Sequence, residues 1–234
     1  LNAEQLKGSA QVRARVRVTN ELTTARLLQD ASMHRSSRRM YSHALRLAES
    51  YQLTDLEITA NAAVRRHATT QGRQSPIQDY DRKIRELQKR LSQEIEAEAI
   101  EDRARVFIQT YGRDPRKVAT ELDQCRKRLR ALTAGGSWLV QLTYYRVSLW
   151  SASRQDKPDE MITIGTEAVT WLNLHPKAES IAHRVEFEGS RMSALLLKKD
   201  FQGAVHVWND IQQKITKGTP NWMNLLQLYF LICT

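Results

Sequence analysis

The stretch LLLKKDFQGAVHVWNDI, residues 195–211, decides the fold. Apolar residues at helical spacing lead into a Lys-Lys-Asp segment, and helical spacing resumes directly after it. This pattern predicts two helices joined by a tight turn. Because a pair of helices cannot bury its own apolar face, we expect similar pairs to stack on both sides of it.

The composition of the chain favours helices throughout. The 234 residues include only 9 glycines and 5 prolines, and good helix formers dominate the remainder. A hydrophobic content of 41% with 26% charged residues is ordinary for a folded protein. We therefore expect an all-α fold.

The first third of the chain, residues 1–75, predicts basic helices. Residues 12–18 alternate valine or alanine with arginine, which is the period of a strand, but the residues that follow have helical spacing. Since no partner strand is evident, we favour a helix. Ser36 or Ser37 is expected to cap a second helix and Thr54 a third, which residues 72–76 end.

A long central helix is expected over residues 76–112. Apolar residues recur there at spacings of three and four, and their phase shifts between Gln93 and Glu98. The region is therefore either one helix or two helices that join at the shift. The clean phase is shorter than a coiled-coil dimer needs, so we favour a helix packed within the chain. The alternative is a homodimer through residues 77–108.

Residues 113–234 predict better-defined helices with short turns. Asp114-Pro115 and Ser137 mark helix starts, and His175-Pro176 marks a stop. Further helices are expected over residues 178–198, 201–217 and 221–234. The chain stops within an apolar run, LLQLYFLICT, so we expect it to be part of a longer protein.

A 43-residue offset relates two of the turns. Met161 follows the turn at Lys157-Pro158, and Ala204 follows the turn at Lys199-Asp200, 43 residues later. Repeats built from helix pairs have periods of this order. The offset therefore indicates a helical repeat, and the alternative is a helical bundle whose repeats are accidental.

The second of these segments resembles the turn and second helix of a tetratricopeptide repeat. The turn aromatic, the small packing residue, the second aromatic and the next helix contact of that repeat match Phe201, Ala204, Trp208 and Ile211. Lys199 stands where glycine is usual, and the long central helix is foreign to a regular array. The chain is similar to divergent tetratricopeptide-like bacterial proteins. This resemblance implies one domain over residues 1–234, in which antiparallel helix pairs stack as an α-solenoid.

No motif in the sequence indicates catalysis, a metal or a cofactor. The six histidines lack the spacing of a metal-binding helix, and Glu94, Glu96 and Glu98 spread around a helix instead of converging. Cys125 and Cys233 have no metal-ligand spacing, which suits free thiols in a reducing compartment. No apolar run is long enough to span a bilayer. We expect a cytoplasmic, non-enzymatic protein that needs no cofactor and does not contact a membrane.

A candidate partner-binding site lies on the helix that follows Ser137. In tetratricopeptide-like solenoids, the first helices of each pair line a groove that receives a peptide or a helix. The register implied by the resemblance places four residues on that groove: Thr143, Arg146, Trp150 and Arg154. The last three recur every four residues and share one helix face. Such a face can hold a carboxylate beside an aromatic platform, and the alternative is that Trp150 packs in the core while the arginines extend to solvent.

A second functional hypothesis, a nucleic-acid-binding or regulatory protein that uses the basic N-terminal third, rests on charge. The net charge is +10, and residues 1–73 carry 12 Lys+Arg against 6 Asp+Glu. Nucleic acid would be the partner if the arginines of this region gathered on one surface: Arg13, Arg15, Arg17, Arg26, Arg35, Arg38 and Arg39. The alternative is a solvated basic surface, because the charges are dispersed. A scaffold that binds another protein remains the leading hypothesis.

Overall fold

The computed structural model describes residues 9–70, 77–178 and 180–233. For residues 232 and 233 it describes the backbone only. Within these ranges the chain forms helices and connecting turns and no strand, which confirms the predicted all-α fold. None of the helices there combines the length and the apolar character that crossing a bilayer requires. The predicted end of the third helix, at residues 72–76, lies outside the described residues.

The described residues form ten α-helices and one short 3₁₀ turn at residues 133–135. The α-helices are α1 (Ala10–Asp30), α2 (His34–Ser50), α3 (Thr54–Thr70), α4 (Ile77–Tyr111), α5 (Pro115–Leu132), α6 (Trp138–Arg154), α7 (Pro158–Leu174), α8 (Ile181–Leu197), α9 (Phe201–Gln212) and α10 (Pro220–Cys233). The alternating segment at residues 12–18 is helical, as favoured from the sequence, and α4 is a single helix of 35 residues.

Several details of the sequence-based boundaries are wrong. Thr54 is the first residue of α3 and not its N-cap, and its hydroxyl donates to Glu94 at 2.8 Å. α2 begins at His34, and Ser37 does not cap it, because the buried Ser37 hydroxyl donates to the Ala25 carbonyl of α1 at 2.8 Å. α9 ends at Gln212 and does not reach residue 217. The chain turns there, and Ile215 enters the core that Trp208 also occupies.

The described chain divides into two compact units between Ile95 and Glu96, within α4. This division falls in the segment where the apolar phase of the sequence shifts. In the first unit, Val18 of α1 packs with Ala44 of α2 and with Leu53, which precedes α3. The phase shift therefore marks a change of packing partners along one continuous helix, and not a break in the helix.

The second unit is held together by contacts between successive helices. Leu122 of α5 shares a core cluster with Val147 of α6. The opposite side of α6 packs on α7 and α8, where Leu172 and Phe187 are completely buried. Trp208 of α9 stacks on Tyr229 of α10 at 4.9 Å between ring centroids. Each helix after α4 thus buries apolar side chains against its neighbours in sequence.

Ion pairs in the second unit also join alternate helices. Arg146 of α6 bonds to Glu101 of α4 on one side and to Glu186 of α8 on the other. Arg126 of α5 pairs with Glu160 of α7. Helices two apart in sequence are therefore neighbours in space.

One type of turn recurs between helices. It places a non-glycine residue in the left-handed region, with φ between 47° and 61°, at Ser32, Gln52, Asp156 and Lys199. The next amide donates to a carbonyl five residues earlier, as Lys157 does to Ala152 at 3.0 Å and Asp200 to Leu195 at 2.9 Å. Lys199 thus takes the conformation for which glycine is usual. Asp156 and Lys199 are 43 residues apart, which is the offset found in the sequence.

Candidate partner-binding site

The first predicted site residue, Thr143, lies in the interior of the second unit. Thr143 is only 1% exposed, and its hydroxyl donates to Oε2 of Glu101 at 3.3 Å. The helix face predicted to line a groove therefore begins inside the core. Thr143 supports Glu101 and is not accessible to a partner.

Arg146 is used within the chain. Its Nη1 lies 2.8 Å from both carboxylate oxygens of Glu101, and its Nε lies 3.0–3.1 Å from those of Glu186. Burial alone lowers the pKa of Arg146, but the two carboxylates outweigh this effect and raise the pKa above its usual value. Arg146 therefore remains charged and joins three helices.

His183 borders this ion pair, and its charged form is disfavoured there. Burial, followed by the positive charge of Arg146, lowers the pKa of His183 below its usual value of 6.5. Its Nδ1 atom is buried and has no hydrogen-bond partner among the residues that the structure describes. A second proton would make the ring a cation, which would be poorly solvated and repelled by Arg146.

The second half of the predicted face lines an open pocket of about 390 Å³. Its lining comes from α4 and α6: Arg105, Ile108, Gln109, Trp150, Ser153 and Arg154. Trp150 is half-buried and packs against the core shared by α4, α5 and α6. The remaining side of the indole contributes to the pocket wall. Trp150 therefore packs in the core with part of its surface at the pocket, and its role in binding a partner stays a prediction.

Arg154 supplies an available positive charge at this pocket. It is exposed and makes no ion pair with any residue in the described ranges. Arg105 lies across the indole, with its guanidinium carbon 5.9 Å from the Trp150 ring centroid, which is within reach of a cation–π contact. The Arg105 guanidinium also forms ion pairs with the carboxylates of Glu101, at 2.6 Å, and Asp102, at 3.3 Å.

The pocket therefore brings Trp150 and Arg154 together with Arg105, and not with Arg146. Arg105 of α4 takes the place that Arg146 was expected to fill. Sequence reasoning missed Arg105, Ile108 and Gln109, although their spacing of three and four puts them on one helix face. No feature of the sequence tells which later helix that face meets.

The comparisons with known proteins add nothing to this assignment. No family model, no curated protein and no solved structure matches the chain.

The seven arginines of the nucleic-acid hypothesis are all exposed, but not all of them share one surface. Arg15 is held by Asp55 of α3 through two hydrogen bonds of 2.6 and 3.0 Å. By helix geometry, Arg15 and Arg26 point away from Arg13 and Arg17 on α1. Arg35, Arg38 and Arg39 share one side of α2, and Arg39 lines a concavity together with Arg17 of α1.

The described residues show no metal centre. No group of three or more His, Cys, Asp or Glu side chains is arranged there to hold a metal ion. Cys125 is buried, and burial followed by the nearby Glu121 carboxylate raises the pKa of its thiol. A thiol in this state is a poor nucleophile.

Proposed function

We propose that this chain is a non-enzymatic scaffold that binds another protein, and that the pocket at Trp150 receives an acidic side chain from an extended peptide. The observation that carries the proposal is the exposed Arg154, which has no ion pair among the described residues and lies beside a half-buried indole. An unpaired guanidinium next to an aromatic surface is a favourable partner for a carboxylate on an apolar stem.

The pocket walls suit such a ligand. The guanidinium of Arg154 can bind both oxygens of a carboxylate, while Trp150 and Ile108 contact the methylene groups that precede it. Gln109 and Ser153 offer polar contacts at the edge. A hydrogen bond to a charged group contributes roughly 1.5–3 kcal/mol, so this one residue pair would be a large part of a weak peptide affinity.

We also propose that the second unit is a tetratricopeptide-like α-solenoid of antiparallel helix pairs. Two observations support it: ion pairs join alternate helices, and the same left-handed turn recurs at an offset of 43 residues. In this arrangement α4, α6 and α8 are equivalent first helices. The pocket lies between α4 and α6, which is where the resemblance implies a groove.

The proposal is tested by selection from a random peptide library displayed on phage, with the full chain as bait. We expect the selected peptides to share an acidic residue. They should be lost when the selection is repeated on Arg154→Gln or Trp150→Leu. Replacement of the shared acidic residue by its amide should weaken binding about tenfold, measured by fluorescence anisotropy.

A matched control comes from Arg130, an exposed arginine on α5 with no ion pair among the described residues. Arg130→Gln removes the same charge away from the Trp150 pocket and should retain the peptides. If Arg130→Gln and Arg154→Gln weakened peptide binding equally, the loss would be due to the change in net charge and not to the pocket. Peptides without a shared acidic residue, or peptides that bind Trp150→Leu unchanged, would overturn the proposal.

A further inference from the structure

The outer face of α2 carries a second charged surface, in the first unit. Four exposed arginines occupy it: Arg35, Arg38, Arg39 and Arg46. The opposite side of the same helix is buried through Ser37, Tyr41, Ala44 and Ala48. We name the four arginines the arginine face. Arg46 belongs to it by helix geometry, although the charge pattern of the sequence did not single it out.

The charges of the arginine face are not neutralised within the described residues. None of its four members makes an ion pair there, and Glu49 is the only carboxylate on α2. Residues 10–50 contain eight arginines, no lysine and three carboxylates. The surface therefore presents a concentration of guanidinium groups, with Glu49 as the one exposed carboxylate on the helix.

A concavity of about 370 Å³ extends this surface onto α1. Arg17 and Arg39 line it together with Glu21 and His43. The Glu21 carboxylate is already bonded to Arg17 at 3.0 Å and to His43 at 2.6 Å. Because Glu21 pairs with these two residues and not with Arg39, the Arg39 guanidinium is available to an external anion.

We infer that the arginine face binds the phosphate backbone of double-stranded nucleic acid without sequence preference. Guanidinium groups bind phosphate oxygens through two parallel hydrogen bonds, which favours arginine over lysine at such contacts. At 1.5 Å of rise per residue, Arg35 to Arg46 spans about 16 Å, with rises of about 4.5, 1.5 and 10.5 Å between consecutive members. This length is sufficient to contact several consecutive phosphates.

The rest of the helix surface favours a duplex over other polyanions. Single strands are bound by stacking bases on aromatic side chains, and the one tyrosine of α2, Tyr41, is buried. A helix that lies on a membrane inserts an apolar face, but the apolar face of α2 is buried against α1 in the core around Ala44 and Ala48. The apolar side of α2 is therefore not available to insert into a bilayer.

The experiment uses the full chain and a labelled 20-base-pair DNA duplex of random sequence, measured by fluorescence anisotropy from 50 to 200 mM salt. With four phosphate contacts, the logarithm of the affinity should fall against the logarithm of salt with a slope of about −3.6. Affinity should then drop about 100-fold over that range. The variant with Arg35, Arg38, Arg39 and Arg46 all changed to Gln should bind at least tenfold more weakly at 50 mM salt.

The control variant removes four exposed positive charges from the second unit, none of which forms an ion pair among the described residues: Arg113→Gln, Arg116→Gln, Arg130→Gln and Lys214→Gln. It should keep most of the affinity and nearly the full salt slope. If the fourfold α2 variant does not fold, Arg35→Gln with Arg39→Gln should reduce the slope by about two.

Three results would overturn this inference. The first is an equal loss of affinity in the control variant. The second is a salt slope that the α2 substitutions leave unchanged. The third is binding of polyglutamate, a single strand or vesicles with anionic headgroups as tightly as the duplex. None of these results affects the Trp150 pocket, which lies on other helices.

Discussion

Arg146 and Arg154 lie two turns apart on the same face of α6, yet they have opposite roles. Arg146 is surrounded by Glu101 and Glu186, and its side chain is 18% exposed. Arg154 is exposed at the open pocket and forms no ion pair within the described ranges. Helix spacing places both on one face, but the presence of acidic neighbours decides which one is structural. The available charge is the one whose neighbours do not neutralise it.

The largest expected difference between the two positions is in stability. Arg146→Met leaves the buried Glu101 with Arg105 as its remaining ion-pair partner and should lower the free energy of unfolding by about 3 kcal/mol. Arg154→Met removes no internal contact and should change it by less than about 0.5 kcal/mol. Urea denaturation followed by circular dichroism measures both. Equal effects would contradict the division of α6 into an internal half and an open half.

A smaller difference is expected for the hydroxyl residues of the same helix. Thr143→Val removes the hydrogen bond to buried Glu101 and should cost about 1–2 kcal/mol of unfolding free energy. Ser153→Val, at the edge of the pocket, should cost less than about 0.5 kcal/mol. The urea midpoints of the two variants can be compared if the dependence of unfolding free energy on urea concentration is the same for both. A neutral Thr143→Val would show that Glu101 does not depend on this donor.

The stability of the region around the Arg146 ion pair should also depend on pH, because His183 of α8 borders it. The pKa of His183 is lower in the folded chain than the unfolded value of 6.5, so the unfolded chain binds more protons between these two values. This contribution to stability is complete above pH 6.5 and is lost as the pH falls towards the folded pKa. His183→Gln should remove that part of the decrease in urea midpoint between pH 7.5 and pH 5.5. An identical decrease in wild type and variant would show that His183 does not titrate as described.

Local signals in the sequence predicted much of the helical framework. The Asp114 carboxylate caps α5 by accepting from the Lys117 amide at 3.1 Å, and α7 ends before His175-Pro176, both as expected. The 43-residue offset is matched by two equivalent turns at Asp156 and Lys199. These features depend on a few adjacent residues, so their chemistry is visible in the sequence.

The site could be predicted only in part, because its decisive contacts are distant in sequence. Glu101 and Glu186 lie 45 and 40 residues from Arg146, and no local pattern pairs them. Arg105 joins Trp150 from α4 for the same reason. The helix period identified the face of α6, whereas tertiary packing determined which residues on it remained accessible. Ser37 was misassigned as a cap because its acceptor, the Ala25 carbonyl, is likewise on another helix.

The most direct test of the account is a double-mutant cycle between Arg154→Gln and a Glu→Gln change at the shared acidic residue of a selected peptide. We predict a coupling free energy of about 1 kcal/mol or more, measured by fluorescence anisotropy with the full chain. The same cycle with Arg130→Gln should give a coupling near zero. A coupling near zero for Arg154, or equal couplings for Arg154 and Arg130, would contradict the assignment of the Trp150 pocket as the binding site for an acidic side chain.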